Sequence, residues 1–284
     1  MYYNIQSSKP RRQFKRFFGQ ANHFLITSLV GLDYLSKNDV KCPDSFSTVW
    51  CPYDKENSVS RSRAFLLGSF LSSSVDALDS YFFMINRSPK LISEELQSLF
   101  DATQNARSVF NKFEIIYNRY NSVIDLRNYG ALVAMSIQWR NNRVHFNSNN
   151  TLDEKYISVL ASESQFFEQE CRGLDISLAL DHFKNNDPPT FKEMASIINA
   201  THRFVQVLDE CLIDELDLVS YSFNILLLSW GENSGARLKT VTKERALEKI
   251  TKKLIMEGFT PNSTKGLGKK DIELLYDRLI RNDQ

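Results

Sequence analysis

The sequence predicts a mainly α-helical protein with a small C-terminal α(+β) module, and three observations carry that expectation. Only 10 Gly and 7 Pro among 284 residues leave few turn formers for an all-β fold. Apolar residues recur at intervals of three and four along most of the chain, the repeat of a helix with one face in a core. Helix start signals, a Thr followed three residues later by Glu, stand ahead of two such stretches. Hydrophobic residues at 42% and charged residues at 24% are ordinary for a folded domain, and 20 Phe with 11 Tyr make its core bulky.

In chain order, a first helix spans about 10–36. It begins with Arg11, Arg12, Lys15 and Arg16, and Phe14, Phe17, Phe18, Phe24, Leu25 and Leu29 mark a buried stripe. Within it, 24–34 is apolar but short and broken by Asp33, so it reads as a buried helix and not as a membrane span. Residues 37–60, with Pro43 and Pro52, form a long excursion holding a short extended piece near 46–50. Helical pattern returns at Ser60. Phe65, Leu66, Phe70, Leu71, Val75 and Leu78 line one side until Pro89 disfavours continuation.

Shorter helices follow at about 92–103 and 106–120. The next, about 128–145, carries Leu132, Met135, Ile137 and Trp139 and stops at the polar run 146–150. Thr151 to Glu154 and Thr190 to Glu193 have the capping-box spacing, the second opening a helix to about 214. The run 219–225 alternates apolar and polar residues as a half-buried strand does. A turn at 231–235 and helices at about 242–257 and 269–280 close the chain, with Gly258 as a C-cap. The expected division is a helical domain over 1–214 and a small module over 215–284.

Composition excludes several classes. A net charge of +1 means that a nucleic-acid partner is held by a local basic patch, not a global field. No apolar run reaches membrane-spanning length and no signal core follows the basic N-terminus, so the expectation is a cytoplasmic protein without a membrane partner. Cys42, Cys51, Cys171 and Cys211 fit reduced thiols, and the Cys42 and Cys51 pair lacks two further ligands for structural zinc. There is no glycine-rich phosphate loop, and no metal or cofactor is expected. His182 and His202 read as structural, and the lysines of the closing helices as a solvated face.

One stretch stands out: Arg140-Asn141-Asn142-Arg143-Val144-His145. With 17 Arg, 22 Asn and 4 His, chance gives roughly 0.02 occurrences of Arg-Asn followed four residues later by His. Arg is a permanent cation whose planar fork grips phosphate, and His is the side chain that exchanges a proton near neutral pH. On an ideal helix Arg140 and His145 lie roughly 140° apart, whereas Asn141 and His145 share a face. The pair converges if the helix loosens at Asn141-Asn142, or if a two-fold axis brings two copies together. As plain helix-end features, the same cations simply complement the macrodipole.

The spacing resembles the signature of the HEPN superfamily of endoribonucleases, Arg-Asn-x-x-x-His at a helix end. Upstream, the helix carrying Ser74-Val75-Asp76-Ala77-Leu78-Asp79-Ser80-Tyr81 is similar to the family helix whose acidic residue faces the motif Arg. Asp79 fits that place best and Asp76 is the alternative. The likeness covers about 60–150 well and the helices to 214 loosely. Residues 1–55 and 215–284 match no family feature.

The resemblance implies an antiparallel helical bundle, a homodimer with a composite cleft, and metal-independent RNA cleavage by the ribose 2′-hydroxyl. Products would carry a 2′,3′-cyclic phosphate or 3′-phosphate and a 5′-hydroxyl. It also implies a toxin or effector of bacterial antiphage defence, with a regulatory or antitoxin partner. In that scheme His145 is general acid or base, Arg140 holds the phosphate, Asn141 orients the site and Asp79 fixes Arg140. Arg143 adds a phosphate contact, and Trp139 and Phe146 can stack a base, although core packing competes for Trp139.

Overall fold

Helix formation follows the capping and periodicity of the sequence closely. The computed structural model describes residues 1–102, 108–145, 148–231 and 234–281. After strand β1 (Tyr2–Ile5), Ser8 opens α1 (Lys9–Lys37) by accepting the Arg11 N–H on its hydroxyl at 3.1 Å. A 3-10 turn at Asp44–Phe46 interrupts the excursion that leads to α2 (Lys55–Ile85), and α3 (Glu94–Ala102) follows. Then come α4 (Val109–Tyr120), α5 (Ile124–Val144), α6 (Glu154–Ser162), α7 (Ser164–Glu170) and α8 (Ile176–Lys184). Helices α9 (Phe191–Glu215), α10 (Leu218–Trp230), α11 (Ser234–Lys239) and α12 (Lys243–Met256) precede strand β2 (Phe259–Asn262) and the last helix, α13 (Lys269–Arg281). The protein is mainly α. No helix among the described residues is long and apolar enough to cross a membrane.

By contacts the chain divides into two compact units that do not follow sequence order. One comprises 14–79 and 107–204, the other 1–13, 80–106 and 205–284. The sequence instead suggested a boundary after residue 214.

In the first unit α5 is the central element, packed on α4 and α6. Its residues from Tyr129 to Ile137 are all buried, so the middle of this helix is enclosed on every side, with Ser136 as its one polar side chain other than the Tyr129 hydroxyl. Gly130 lets rings from neighbouring helices pack directly on the backbone of α5. A Cβ there would meet the Tyr117 ring at 2.7 Å and the Phe204 ring at 3.3 Å. Phe113 gathers Tyr117, Tyr156 and Phe204 around the same place. Phe14 and Phe18 of α1 stack at 5.2 Å, and both meet His202 edge-on. His202 is thus a packed core residue, as its helical context suggested. The capping box at Thr190 is formed in full: Glu193 accepts the Thr190 N–H at 2.6 Å and Thr190 Oγ1 accepts the Glu193 N–H at 3.2 Å. The other Glu193 oxygen meets His182 Nδ1 at 2.6 Å.

In the second unit α10, α11 and α12 pack on α13. The two strands pair antiparallel with Tyr2 opposite Asn262 and Ile5 opposite Phe259. Asp209 is fully buried on the C-terminal part of α9. It accepts the Ser8 N–H at 2.9 Å, the Ser8 hydroxyl, and the Tyr81 hydroxyl at 3.1 Å.

Several expectations are corrected. Residues 219–225 are helical: Asp217 caps α10 through the Val219 and Ser220 N–H groups, and Tyr221, Ser222, Ile225 and Leu226 face inward at helical spacing. An alternating run satisfies both periods over seven residues, and the 13-residue apolar length decides for helix. The module's strand lies instead at 259–262. Thr151 caps nothing; α6 starts at Glu154 after Asp153 without a side-chain cap. The stripe on α1 is narrower than read, because Phe17 and Phe24 are exposed while Phe14, Phe18, Leu25 and Leu29 are buried. The 24–34 stretch is helical but buried on one side only, at Leu25 and Leu29, since Ile26, Val30 and Tyr34 also face solvent. On α2, Leu67 is buried and Phe65 is 73% exposed. The expected helix ends at 103 and 106, and positions 232 and 233 of the expected turn, lie outside the described residues.

Candidate functional site

The site is built at the C-terminal end of α5, and the core fixes that end. Trp139 is fully buried, its indole N–H donates to the Asp187 carbonyl at 2.9 Å, and its ring meets Phe183 edge-on. This corrects Trp139 as a base-stacking residue, because its ring is enclosed in the core and presents no face to a base. It anchors the last turns of α5 in rotation, and so sets where Arg140 and Asn141 point.

The helix then stops. Val144 is its last residue, and His145 takes an extended conformation with φ −102° and ψ 108°, its N–H still bonded to the Asn141 carbonyl at 3.1 Å. His145 is thus the cap of α5, with its N–H still in the helical pattern and the chain turning away only after it. The two side chains line one pocket of about 350 Å³, together with Asn141 and the α2 residues Asp76 and Asp79. The chain loosens at His145, three residues later than the Asn141-Asn142 pair where loosening was considered.

Within the pocket Arg140 is held on two sides. Its Nη2 donates to Asp76 Oδ1 at 3.0 Å and its Nη1 to Asn141 Oδ1 at 3.3 Å, while its Nε is buried without a partner. The Asn141 amide in turn donates to Gln138 at 3.4 Å. The Arg140 partner is thus Asp76, not Asp79 as expected. Asp79 is 41% exposed and bonds Lys112 of α4 at 2.7 Å. Three residues on a helix turn about 300°, so the two acids point some 60° apart, one toward the end of α5 and one toward α4. Both nevertheless line the pocket.

The opposite wall is a short polar segment, Ser148 to Asn150, and Asn142 holds it. Asn142 Oδ1 accepts the Asn150 N–H at 2.6 Å and the Asn150 side-chain amide at 3.0 Å, and its Nδ2 donates to the Asn150 carbonyl at 2.8 Å. The side-chain amide of Asn142 pairs with the Asn150 backbone as a neighbouring strand would. Ser148 N–H donates to the His145 carbonyl at 2.9 Å, so the same segment also supports the backbone of His145. Sequence reasoning missed Asn142, which occupies an unspecified position of the motif. The signal was present: Asn is a poor helix former, and one 9% exposed at a helix end needs partners for its amide.

Arg143 does not line this pocket. Its Nη1 donates to the Asn186 carbonyl at 2.9 Å. Phe146 lies outside the described residues. Among the imidazoles, only that of His145 lines the pocket, and it is exposed with no hydrogen-bond partner among the described residues.

Chemically, the arrangement offers a fixed guanidinium, a free imidazole and several amide and hydroxyl groups around one polar space. Among the described residues, no three His, Cys, Asp or Glu side chains are placed to hold a metal ion. No family model, curated protein sequence or solved structure matches the chain.

Proposed function

We propose that the chain is a metal-independent endoribonuclease of the HEPN type, with Arg140 and His145 as its catalytic residues. The observation that supports this most is their convergence on one polar pocket from a single chain. In the proposed reaction His145 takes the proton of the ribose 2′-hydroxyl, whose oxygen attacks the adjacent phosphorus. The P–O5′ bond breaks, the departing oxygen takes a proton from water, the imidazolium returns its proton to solvent, and the products are a 2′,3′-cyclic phosphate and a 5′-hydroxyl. Arg140 stabilises the charge on the non-bridging oxygens, where a pre-aimed guanidinium does most when it need not reorganise. Its bonds to Asp76 and Asn141 supply that aim.

The substrate on this reading is RNA, cut in the cytoplasm by a toxin or effector of bacterial defence with a regulatory or antitoxin partner. A homodimer with a composite cleft remains part of the proposal on the family resemblance alone, because one chain already brings Arg140 and His145 together. A second reading, a non-catalytic partner-binding module, is favoured by the exposed apolar side chains of α1, among them Phe24, Val30 and Tyr34. The two separate in one comparison. Purified protein should cleave RNA, and His145→Ala should lower the rate by roughly 10² to 10⁴ while leaving the melting temperature unchanged, since the side chain is exposed and makes no hydrogen bond among the described residues. Equal rates in the folded variant overturn the nuclease reading and leave the binding module.

A further inference from the structure

A second cavity, of about 260 Å³, lies in the same unit and shares the Ser148 and Asn150 wall with the catalytic pocket. Its character is different. The first pocket is mainly polar, with only Val75 and Val109 as apolar lining, whereas the second has an apolar floor of Leu152, Leu180 and Phe183, all buried. Around that floor stand Asn149, Thr151, Lys184 and Asn186, whose side chains are exposed and make no hydrogen bond among the described residues. The Asn142 to Asn150 pairing keeps the shared wall in place, so the two spaces hold a fixed relation to each other.

We infer that this cavity receives the base of a nucleotide flanking the scissile phosphate and sets base preference; the inference rests on the nuclease reading above. Sequence-specific RNA recognition works on unstacked bases that are splayed out, set against apolar or aromatic surface and hydrogen-bonded along their edges. An apolar floor with a rim of side-chain amides fits that task. Each Asn carries both donors and an acceptor, matching the mixed edge of a base, and a hydroxyl adds one group of either sense. Lys184 places a single cation at the rim, suited to the neighbouring phosphate. The division of labour is simple: phosphate and ribose in the polar pocket, base in the adjacent cavity, with Asn150 between them.

The test uses DNA oligonucleotides with one ribonucleotide, its base varied through all four, so that each substrate has one cleavable bond. Wild type is compared with the double variant Asn149→Ala/Asn186→Gly. Glycine at 186 removes the amide while keeping the left-handed backbone of that residue (φ 54°) unstrained. The expected result is a base preference of tenfold or more in wild type, since one base-edge hydrogen bond is worth about that factor. It should collapse to within about twofold in the variant. Equal cleavage of all four substrates by wild type, or an undiminished preference in the variant, overturns the inference and leaves the nuclease reading standing. If wild type cleaves none, calorimetric titration with the four nucleoside 3′-monophosphates decides. Binding of one base at least tenfold tighter than the others, lost in the variant, upholds the cavity even as the nuclease reading fails. No binding, or binding that the variant leaves unchanged, overturns it.

Discussion

Asn142→Ala should weaken both the fold and the proposed site, and its size can be worked from the geometry. The substitution removes three bonds between 2.6 and 3.0 Å that join the end of α5 to Asn150. At about 1 kcal/mol net for each, the loss is about 2–3 kcal/mol, with the Asn150 N–H and carbonyl left seeking water. For a protein of this size that corresponds to a melting temperature lower by about 5–10 °C in a calorimetric scan. The same change frees the segment whose Ser148 N–H supports the His145 carbonyl. A displacement of the imidazole by about 1 Å costs up to roughly 10²-fold in rate, so RNA cleavage should fall by one to two orders of magnitude. Asn142→Asp keeps the acceptor for Asn150 but loses the donor to its carbonyl, and should fall between the two proteins in both measurements. An Asn142→Ala protein with the wild-type melting temperature and rate would refute the reasoning.

Other outcomes are equally specific. Asp76→Ala should lower cleavage about tenfold with little change in stability, because Asp76 is 65% exposed and a surface ion pair contributes little to folding, while Asp79→Ala should leave the rate within about twofold. The reverse ranking in the cleavage assay would return the supporting role to Asp79. Cleavage on the proposed chemistry should persist in EDTA and leave 5′-hydroxyl ends that polynucleotide kinase labels directly; loss in chelator that magnesium restores points to another reaction. Burial raises the Asp209 carboxyl above its ordinary value, against the lowering effect of its bonds to Ser8 and Tyr81. The folded state therefore binds that proton more tightly than the unfolded chain. Stability from this group is present below about pH 4 and declines as pH rises through the raised pKa. Denaturant midpoints of wild type relative to Asp209→Asn should accordingly fall as pH increases from about 4; a difference that is flat or rises with pH contradicts the shift.

How far the sequence disclosed this structure depends on how local each signal was. Helices with a cap and a long apolar repeat, such as α9 behind its Thr190 to Glu193 box, were legible because every determinant lies within a few residues. The pairing of Tyr2–Ile5 with Phe259–Asn262 was not, since nothing in either tetrapeptide names a partner more than 250 residues away. The 219–225 run was ambiguous because period two and period 3.6 coincide over so short a stretch, and the deciding clues, the 13-residue apolar length and the Asp217 cap, lie partly outside it. At the site, Arg140, Asn141 and His145 stood out by residue type and spacing. The choice between Asp76 and Asp79 required knowing which face of α2 meets α5, and an apolar repeat marks the buried side of a helix without naming the neighbour that covers it.

The charges around the candidate site constrain how it would hold RNA. Arg140 stands against Asp76 and Lys112 against Asp79, so the two pairs leave the pocket wall nearly neutral apart from His145. A neutral wall attracts a polyanion weakly, in keeping with a chain whose net charge is only +1. Such a site gains more from aim than from field. The guanidinium is already directed by Asp76 and Asn141, and a phosphate reaching it competes with an exposed carboxylate that water readily resolvates. On the proposed reading, affinity must then come largely from contacts beyond the phosphate. The cavity across the Asn150 wall is where an apolar floor and unpaired amides offer them. On that reading Asn142 would bind the two proposed functions together, since the residue that closes the end of α5 also holds Asn150, the partition between the two spaces.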